Sequence, residues 1–348
     1  MRIYALHCGG DVQDIAVFAQ DEWRVAPKLS VIGGVRSDSY RVVTENTPGY
    51  DVTPVVAGAT PAIDPSTLPS ASGQTISRNA LTGDIGLVGN PNGAFSPFVR
   101  VGRSYRHPNL EELLFAGPAT AGNIIPNVTV KPEKGNNFDA GTKFNIGSWT
   151  GGAFFFLNQY TDFIASELVV ARTAAGPLTR ATNFANVRIG GVELQVQKPF
   201  VVGPGVVTVN SGASFNRGTI TDGQNPLNSS SLAGTPADNI TPSKFTTNVR
   251  YTESGARYWF EYGIRAQGQV DRVAVTVLDS PFLIAQDLLA LQGFAVHRLG
   301  AGLRFGRGVT RSTLTFAVEN LANKYYREHF QFAPARGRSF TIGVRLGN

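Results

Sequence analysis

The chain has 348 residues, 39 of them glycine and 22 phenylalanine, and only 16% are charged. A soluble protein usually carries about 25% charged residues, yet no stretch reaches the ~18 consecutive apolar residues of a membrane helix. Helical membrane proteins are therefore excluded, leaving a membrane β-barrel, a secreted β-sandwich or a propeller. The net charge of +6 comes from Lys and Arg scattered through alternating segments, where a nucleic-acid binder would cluster them. The single cysteine, Cys8, rules out a disulfide framework and a cysteine-based zinc site. Residues 1–7 hold no apolar run followed by a small-residue cleavage site, so no secretion signal is visible. Segment 1–13 is expected to be disordered or unrelated to the rest of the chain.

In chain order, Ile15–Trp23 is the first strand candidate. A short turn at Ala26-Pro27-Lys28 leads to Leu29–Tyr40, where Leu29, Val31, Gly33 and Val35 alternate with Ile32, Gly34, Arg36 and Asp38. Residues 45–79 are rich in Pro, Thr, Ser, Gly and Ala and read as a long loop. Strands come next at Leu81–Val88 and Phe95–Tyr105, joined by Asn90-Pro91-Asn92-Gly93, then a second long loop from Arg106 to Pro132. Asn137–Phe144, a tight turn at 145–148, and Trp149–Tyr160 extending toward Leu168 make the next hairpin. Ala171–Thr182 reads as a loop. Val187–Gln197 and Val206–Asn216 are strands, and Arg217–Thr241 is long and polar.

The last third repeats the scheme. Lys244–Tyr251 and Tyr258–Gln267 flank Glu253-Ser254-Gly255, and Val270–Gln292 is a loop with room for a helical turn at Leu283–Leu291. Phe294–Phe305 turns at Gly306-Arg307-Gly308 into a strand carrying Leu314, Phe316 and Val318. The final strand sets Phe340, Ile342, Val344 and Leu346 against Ser339, Thr341, Gly343 and Arg345. This gives about thirteen strands, with short turns after the odd-numbered ones and long loops after the even-numbered ones. Such alternation is the meander of an outer-membrane barrel, with short periplasmic turns and long outer loops. A Greek-key sandwich would scatter its long connections, and a propeller would show a repeat of roughly 40–50 residues. In the barrel, the apolar face of each strand meets lipid and the polar face lines the lumen.

Several motifs carry a resemblance. Val318-Glu319-Asn320-Leu321, Asn323-Lys324-Tyr325-Tyr326 and Gly337-Arg338-Ser339-Phe340 are similar to the end of TonB-dependent outer-membrane receptors. Pro97–Leu113, with Tyr105-Arg106-His107-Pro108 and Leu110-Glu111-Glu112-Leu113, looks like a mid-barrel strand and loop of that family. Lys131-Pro132-Glu133-Lys134 and Gly190-Gly191-Val192-Glu193-Leu194 are similar too. The resemblance runs from about Asp14 to Leu346. It implies an antiparallel up-and-down transmembrane β-barrel of the 22-stranded, plugged class, of which residues 14–348 are the C-terminal part, open or irregularly closed. It also implies a plug domain and an energy-coupling box, which this sequence does not contain. The family usually ends on Phe or Trp, whereas this chain ends Leu346-Gly347-Asn348.

No Gly-x-Ser-x-Gly or His-Glu-x-x-His motif occurs, and the four histidines at 7, 107, 297 and 329 are widely spaced. Neither an enzyme, a metal nor a cofactor is expected. Period two places Arg36, Arg100, Asp139, Lys143, Glu193, Arg250, Glu261, Arg265, Glu319 and Arg345 on the lumen side, where the carboxylates and Asp84 pair with the cations in a polar wall. Arg103, Tyr105, Arg106 and His107 fall where a strand meets a long outer loop, as do Tyr325, Tyr326, Arg327 and His329. They are candidates to contact a ligand arriving from outside; the plainer reading is an interfacial aromatic girdle with loop charges.

The resemblance implies a receptor barrel in a Gram-negative outer membrane, truncated or split, importing a siderophore, cobalamin, sugar or peptide. Its partners would be outer-membrane lipid and an extracellular small-molecule ligand, with the TonB system engaged only through a plug supplied by another chain. A plug-less passive pore or adhesin-like barrel is the alternative, and an outer-membrane hydrolase is disfavoured by the missing nucleophile-base pair. Thirteen strands leave free edges at Ile15–Trp23 and Ser339–Leu346, and each unpaired backbone group in lipid costs several kcal/mol. Residues 1–348 expressed with an added signal sequence are expected to give a curved open sheet or strained closure. Gel mobility should then show no heat-modifiable folded band and planar bilayers no stable conductance step; observing both would show that the chain closes by itself.

Overall fold

The computed structural model describes residues 9–119, 122–237, 240–274, 289–306, 312–329, 331 and 333–347. Thirteen strands form one antiparallel sheet in strict chain order: β1 Gly10–Ala26, β2 Leu29–Thr44, β3 Thr75–Gly89, β4 Phe95–Arg106, β7 Glu133–Ile146, β8 Trp149–Thr173, β9 Gly176–Val202, β10 Gly205–Gly223, β11 Lys244–Glu253, β12 Tyr258–Gln267, β13 Phe294–Phe305, β14 Ser312–Glu319 and β15 Ser339–Arg345. A small hairpin, β5 Gly117–Ala119 with β6 Gly122–Ile124, lies off this path and leans on β9. The sheet is open: β1 and β15 are its two edges. Two short α-turns, α1 Thr53–Val56 and α2 Leu110–Leu114, sit in the long loops.

Two readings of the sequence change. β1 begins at Gly10, paired to Thr44, so residues 10–13 belong to the sheet. Ala171–Thr182 is not a loop: β8 and β9 run on as a hairpin to a tight turn at residues 174–175. These strands have 25 and 27 residues, whereas a tilted strand crosses a bilayer in ~9–11. Roughly 15 residues of each, on the order of 50 Å at ~3.3 Å per residue, therefore stand clear of the membrane. The helical turn expected at Leu283–Leu291 and Cys8 fall largely outside the described residues.

Period two decides the faces. Phe340, Val318, Leu299, Tyr262, Val249 and Val209 are register partners on six successive strands, so they share one face. Phe340, Ile342, Val344, Leu314, Phe316, Val192, Leu194, Phe260 and Tyr262 all lie on that face, between 38% and 72% exposed. A soluble sandwich would bury this set; here it forms the convex outer surface. Near the short turns the same face carries an aromatic row, with Trp23, Phe95, Trp149, Phe200, Tyr258 and Phe305 on six strands, as a membrane interface requires. Lys198 belongs there too, reaching over the Trp149 and Phe200 rings and hydrogen-bonded to Ser148.

The apolar cores lie elsewhere, at the long-loop end. One cluster joins Tyr40, Val42, Leu113, Val130 and Ile164, a second Val56, Ile125, Ala171 and Leu178, and a third Val187, Ile220 and Leu232. The loops after β2, β4 and β10 are thus packed against the projecting β8–β9 hairpin as a folded cap. The cap is the part with a water-driven hydrophobic core, and the wall below it depends on lipid.

This assignment predicts opposite responses on the two faces. Phe316→Arg on the outer face should destabilise the membrane-inserted sheet by about 2–4 kcal/mol. Thr341→Arg, on the inner face, should leave it within error, both read from guanidinium unfolding followed by circular dichroism in micelles or vesicles.

Candidate ligand-facing sites at the long-loop end

The inner face is lined with ion pairs. Arg100 on β4 donates to Asp84 on β3 at 2.9 Å and reaches Asp139 on β7 at 3.5 Å. Glu261 on β12 sits between Arg250 on β11 at 3.5 Å and Arg298 on β13 at 2.9 Å, and Arg298 also meets Glu319 on β14 at 2.7 Å. Arg36 pairs with Asp38 two residues along its own strand at 2.6 Å. These are cross-strand neighbours on one face, which is what a polar wall needs. Arg250 also stacks on Trp259, whose ring covers Gly302 so closely that a Cβ there would lie 2.1 Å from the indole nitrogen. Glu193, Lys143 and Arg345 share the inner parity but make no ion pair among the described residues.

Of the first candidate group, Arg106 is fully occupied. Its guanidinium donates twice to Glu133, at 2.8 and 2.9 Å, and twice to Glu112, at 2.9 and 3.1 Å. Both carboxylates are buried. Glu133 also accepts from the Ile164 backbone N–H, and Glu112 from the Ser166 hydroxyl and the Asn109 N–H. Asn109 returns a bond to the Glu112 N–H, closing a capping box on α2. Arg106 is therefore a bolt joining β4, β7, β8 and α2. The Asn109-x-x-Glu112 spacing is the sequence signal that could have shown this.

His107 stacks on Tyr40 with centroids 4.2 Å apart and meets Tyr105 edge-on at 4.8 Å. The Tyr40 hydroxyl donates to the Pro108 carbonyl at 3.0 Å, pinning the chain as it leaves β4. Both ring nitrogens of His107 are buried with no hydrogen-bond partner, and burial pushes its pKa down, against a smaller upward pull from Asp14 and Asp38. The ring borders an inner cavity of about 600 Å³ shared with Asp14, Arg36, Asp38 and Arg100. Arg103 has the outward parity of Val101, but it stands where the β3–β4 pairing ends and lines the edge of this cavity as well.

Of the second group, Tyr326 lines a larger inner cavity of about 1140 Å³; Tyr325, Arg327 and His329 do not. Tyr326 folds in from the last loop and packs on Phe294 with centroids 4.2 Å apart. Arg265 on β12 donates to the Tyr326 hydroxyl at 3.0 Å and to Glu328 at 2.9 Å, with its guanidinium over both rings. Arg298 and Arg336 line the same space. Asn320 fixes the loop, donating to the Lys324 and Arg336 carbonyls and accepting from the Lys324 N–H. Tyr325 points away from this packing and is 71% exposed. Arg327 and His329 are half-buried, and burial lowers the His329 pKa, with Lys244 adding to the effect. Phe294, Arg298, Glu328 and Arg336 were missed from sequence. The inner parity of Arg298 is readable from β13, but the contacts of a folded-in loop are not.

The family model described as TonB dependent receptor-like, beta-barrel matches residues 7–321. The chain belongs to that family, whose members are transport receptors and not enzymes. Among solved structures it resembles the copper transporter OprC, at 20% identity and a TM-score of 0.70 over 96% of this chain and 48% of that one. It also resembles the FrpB iron transporter from Neisseria meningitidis (F5-1 variant), at 16% identity and TM-score 0.66 over 98% and 46%. A third likeness is to the ferric yersiniabactin uptake receptor FyuA from Yersinia pestis, at 14% and 0.63 over 98% and 45%. At these identities the likeness is one of fold, and the chain spans about half the length of each. No curated protein sequence matches significantly. β15 lies beyond the matched residues yet pairs with β14 over seven residues.

His107, half-buried with both ring nitrogens lacking a hydrogen-bond partner, makes the cap sensitive to acid. Its folded pKa lies below the unfolded value of about 6.5, so its contribution is fully present above that value. It is lost as pH falls toward the folded pKa, because the unfolded state then binds the extra proton. Hydrogen-exchange protection factors of residues 107–117, corrected for the intrinsic pH dependence of exchange, should fall between pH 7.5 and 5.5, and His107→Phe should flatten the change. An unaltered pH response in that variant would remove His107 as the cause.

Proposed function

We propose that this chain is part of the wall of an outer-membrane uptake receptor in a Gram-negative bacterium. Its cavity of about 1140 Å³, open toward the loop end, receives an extracellular small-molecule ligand. The observation that supports this best is the cluster at the cavity's upper rim: Arg265 over Phe294 and Tyr326, with Tyr325 left exposed beside it. A guanidinium over aromatic faces and an uncommitted tyrosine form a surface for a rigid ligand with anionic or ring groups. Two of the similar proteins are a copper transporter and an iron transporter. For this chain the ligand class stays that of the wider family: siderophore, cobalamin, sugar or peptide. Import requires the TonB system acting through a plug, which another segment or chain would provide.

Binding of a panel of ferric siderophores, cobalamin, oligosaccharides and short peptides to detergent-solubilised protein tests the reading. Tyr326→Ala and Arg265→Gln should each weaken the ligand that binds by about tenfold, or ~1.4 kcal/mol, with the circular dichroism unchanged. No binding by any class, together with a steady conductance without ligand, would favour the passive pore instead.

A further inference from the structure

The ladder between β3 and β4 stops short. It pairs Gly83–Val88 with Phe98–Arg103 and goes no further. Above it, β3 continues beside β2 up to Thr75, and β4 continues beside β7 up to Arg106. The two strands part like the arms of a fork that opens toward the loop end. Along residues 75–82 the edge of β3 that would face β4 has no backbone partner among the described residues. The facing edge of Ser104, Tyr105 and Arg106 has none either. Two other strands also outrun a neighbour, and their edges are covered. β10 above β11 is covered by the loop through Leu232–Ala237, with Ile220 exchanging bonds with Gly234 and Thr235. β8 above β7 is met by Thr60, which exchanges two backbone bonds with Arg172. The fork keeps its edge open, and an open edge is a template for another strand.

The gap runs through the wall. Gly83, Asp84, Gly102, Arg103 and Asn137 border both the inner cavity of about 600 Å³ and an outer groove of about 640 Å³. Arg103 and Tyr105 have the outward parity of Val101, yet both line the inner cavity. They reach it because no strand stands beside them. Two guanidiniums flank the opening, and neither is in an ion pair among the described residues. One is Arg103. The other, Arg78, is the register partner of Tyr40 and donates to the carbonyl of its neighbour Ser77 at 3.1 Å. The carboxylates of Asp38 and Asp84 are held by Arg36 and Arg100, and Asp14 stands two strands away on β1. Leu81, on the outer side of the same edge, is 66% exposed.

We infer that the fork is a docking slot for an extended acidic peptide segment of a partner protein, added as a strand beside β3. Running antiparallel to β3, the segment ascends where β4 would have continued. Its main chain satisfies the free edge, as in other cases of strand addition. Successive side chains turn to opposite faces, so carboxylates on the two faces meet Arg103 and Arg78, and an apolar side chain covers Leu81. The slot shares no residue with the cavity of about 1140 Å³. It therefore adds a protein partner to the proposed receptor role without depending on that role.

A random peptide library displayed on phage, panned against the full chain in non-ionic detergent, is the test, with affinity of the enriched peptide read by fluorescence anisotropy. Acidic sequences rich in β-branched residues should be enriched. N-methylation of alternate residues should abolish binding in one of the two alternating phases, because it removes the N–H groups that meet β3 and leaves the side chains in place. Thr82→Cys with Ser104→Cys, made together with Cys8→Ser, extends the ladder by a disulfide and closes the fork. The oxidised form should bind about tenfold more weakly or worse, as the loss of main-chain hydrogen bonds requires, and reduction should restore binding. Arg78→Gln with Arg103→Gln should weaken it by a similar factor, and Arg257→Gln, at the short-turn end, should leave it unchanged. Binding indifferent to N-methylation in both phases would mean a charge contact without a strand and would overturn the inference. Equal binding by the oxidised and reduced forms would remove the fork as its place. No enrichment of acidic sequences would rule out the partner chemistry. A copurifying lipid lost on closing the fork, with no peptide bound, would give the gap to lipid and overturn the inference as well.

Discussion

In lipid, no water is available to satisfy a peptide group, so each strand must find its hydrogen bonds in a neighbouring strand. That constraint explains why the sheet runs through thirteen strands in chain order without a crossover. Every strand but the two edges has a neighbour on both sides, although β3 and β4 pair only over Gly83–Val88 and Phe98–Arg103. It also explains the economy of the short turns, two residues at 27–28, 147–148 and 203–204. Polar backbone that did not belong to a ladder would have to lie outside the membrane, and among the described residues it is gathered in the loops after β2, β4, β10 and β14.

The constraint also divides the molecule by solvent. Within the membrane the wall has no packed core; it is one residue thick, with lipid on one side and ion pairs on the other. Arg100, Glu261 and Arg298 each touch two oppositely charged neighbours on adjacent strands, so the inner face is a network rather than a set of isolated pairs. Above the membrane the hydrophobic effect operates again, and the long loops collapse onto the projecting β8–β9 hairpin. Arg106 ties the two regimes together. It is the last residue of β4, and it bolts the wall to a cap helix through two buried carboxylates. Removing one partner there would strand a buried charge, which costs more than the intact pair gains. A structural bolt is therefore a better account of Arg106 than a ligand contact.

The same division set how much was legible in the sequence. Where one face of a strand meets lipid and the other meets water, the alternation is clean, and Leu314 to Val318 or Phe340 to Val344 could be assigned to the outer face by inspection. Where both faces are packed, the alternation vanishes. Val169, Ala171, Leu178 and Ala181 are all buried, so the distal part of the β8–β9 hairpin looked like a loop although it is paired. The charged set on the inner face was readable by parity, but its pairing was not: Glu319 meets Arg298, and Arg36 meets Asp38, because side-chain reach and register decide partners. Tyr326 stands out in the sequence by its place in a motif. Its partners Phe294 and Arg265 are at least 32 positions away in the chain, and only the folded loop brings them together.

The direction of the two edges constrains what can complete the sheet. β1 starts at Gly10 beside the long loop after Thr44 and ends at the short turn after Ala26. β15 starts at Ser339 beside Glu319 at the long-loop end and descends to Arg345. Both edge strands therefore run from the loop end to the turn end. Side by side they would be parallel, whether they came from one chain or from two copies standing the same way up in the membrane. Parallel ladders are somewhat less stable per residue, and bacterial barrels are otherwise antiparallel with an even strand number. An all-antiparallel ring containing this sheet requires an added segment whose two outermost strands both run upward. Such a segment has an odd number of strands. A second copy of the chain has an odd number too, but both its edges run downward, so self-association does not meet the requirement. A wall of thirteen strands with two descending edges thus defines its complement by direction as well as by number.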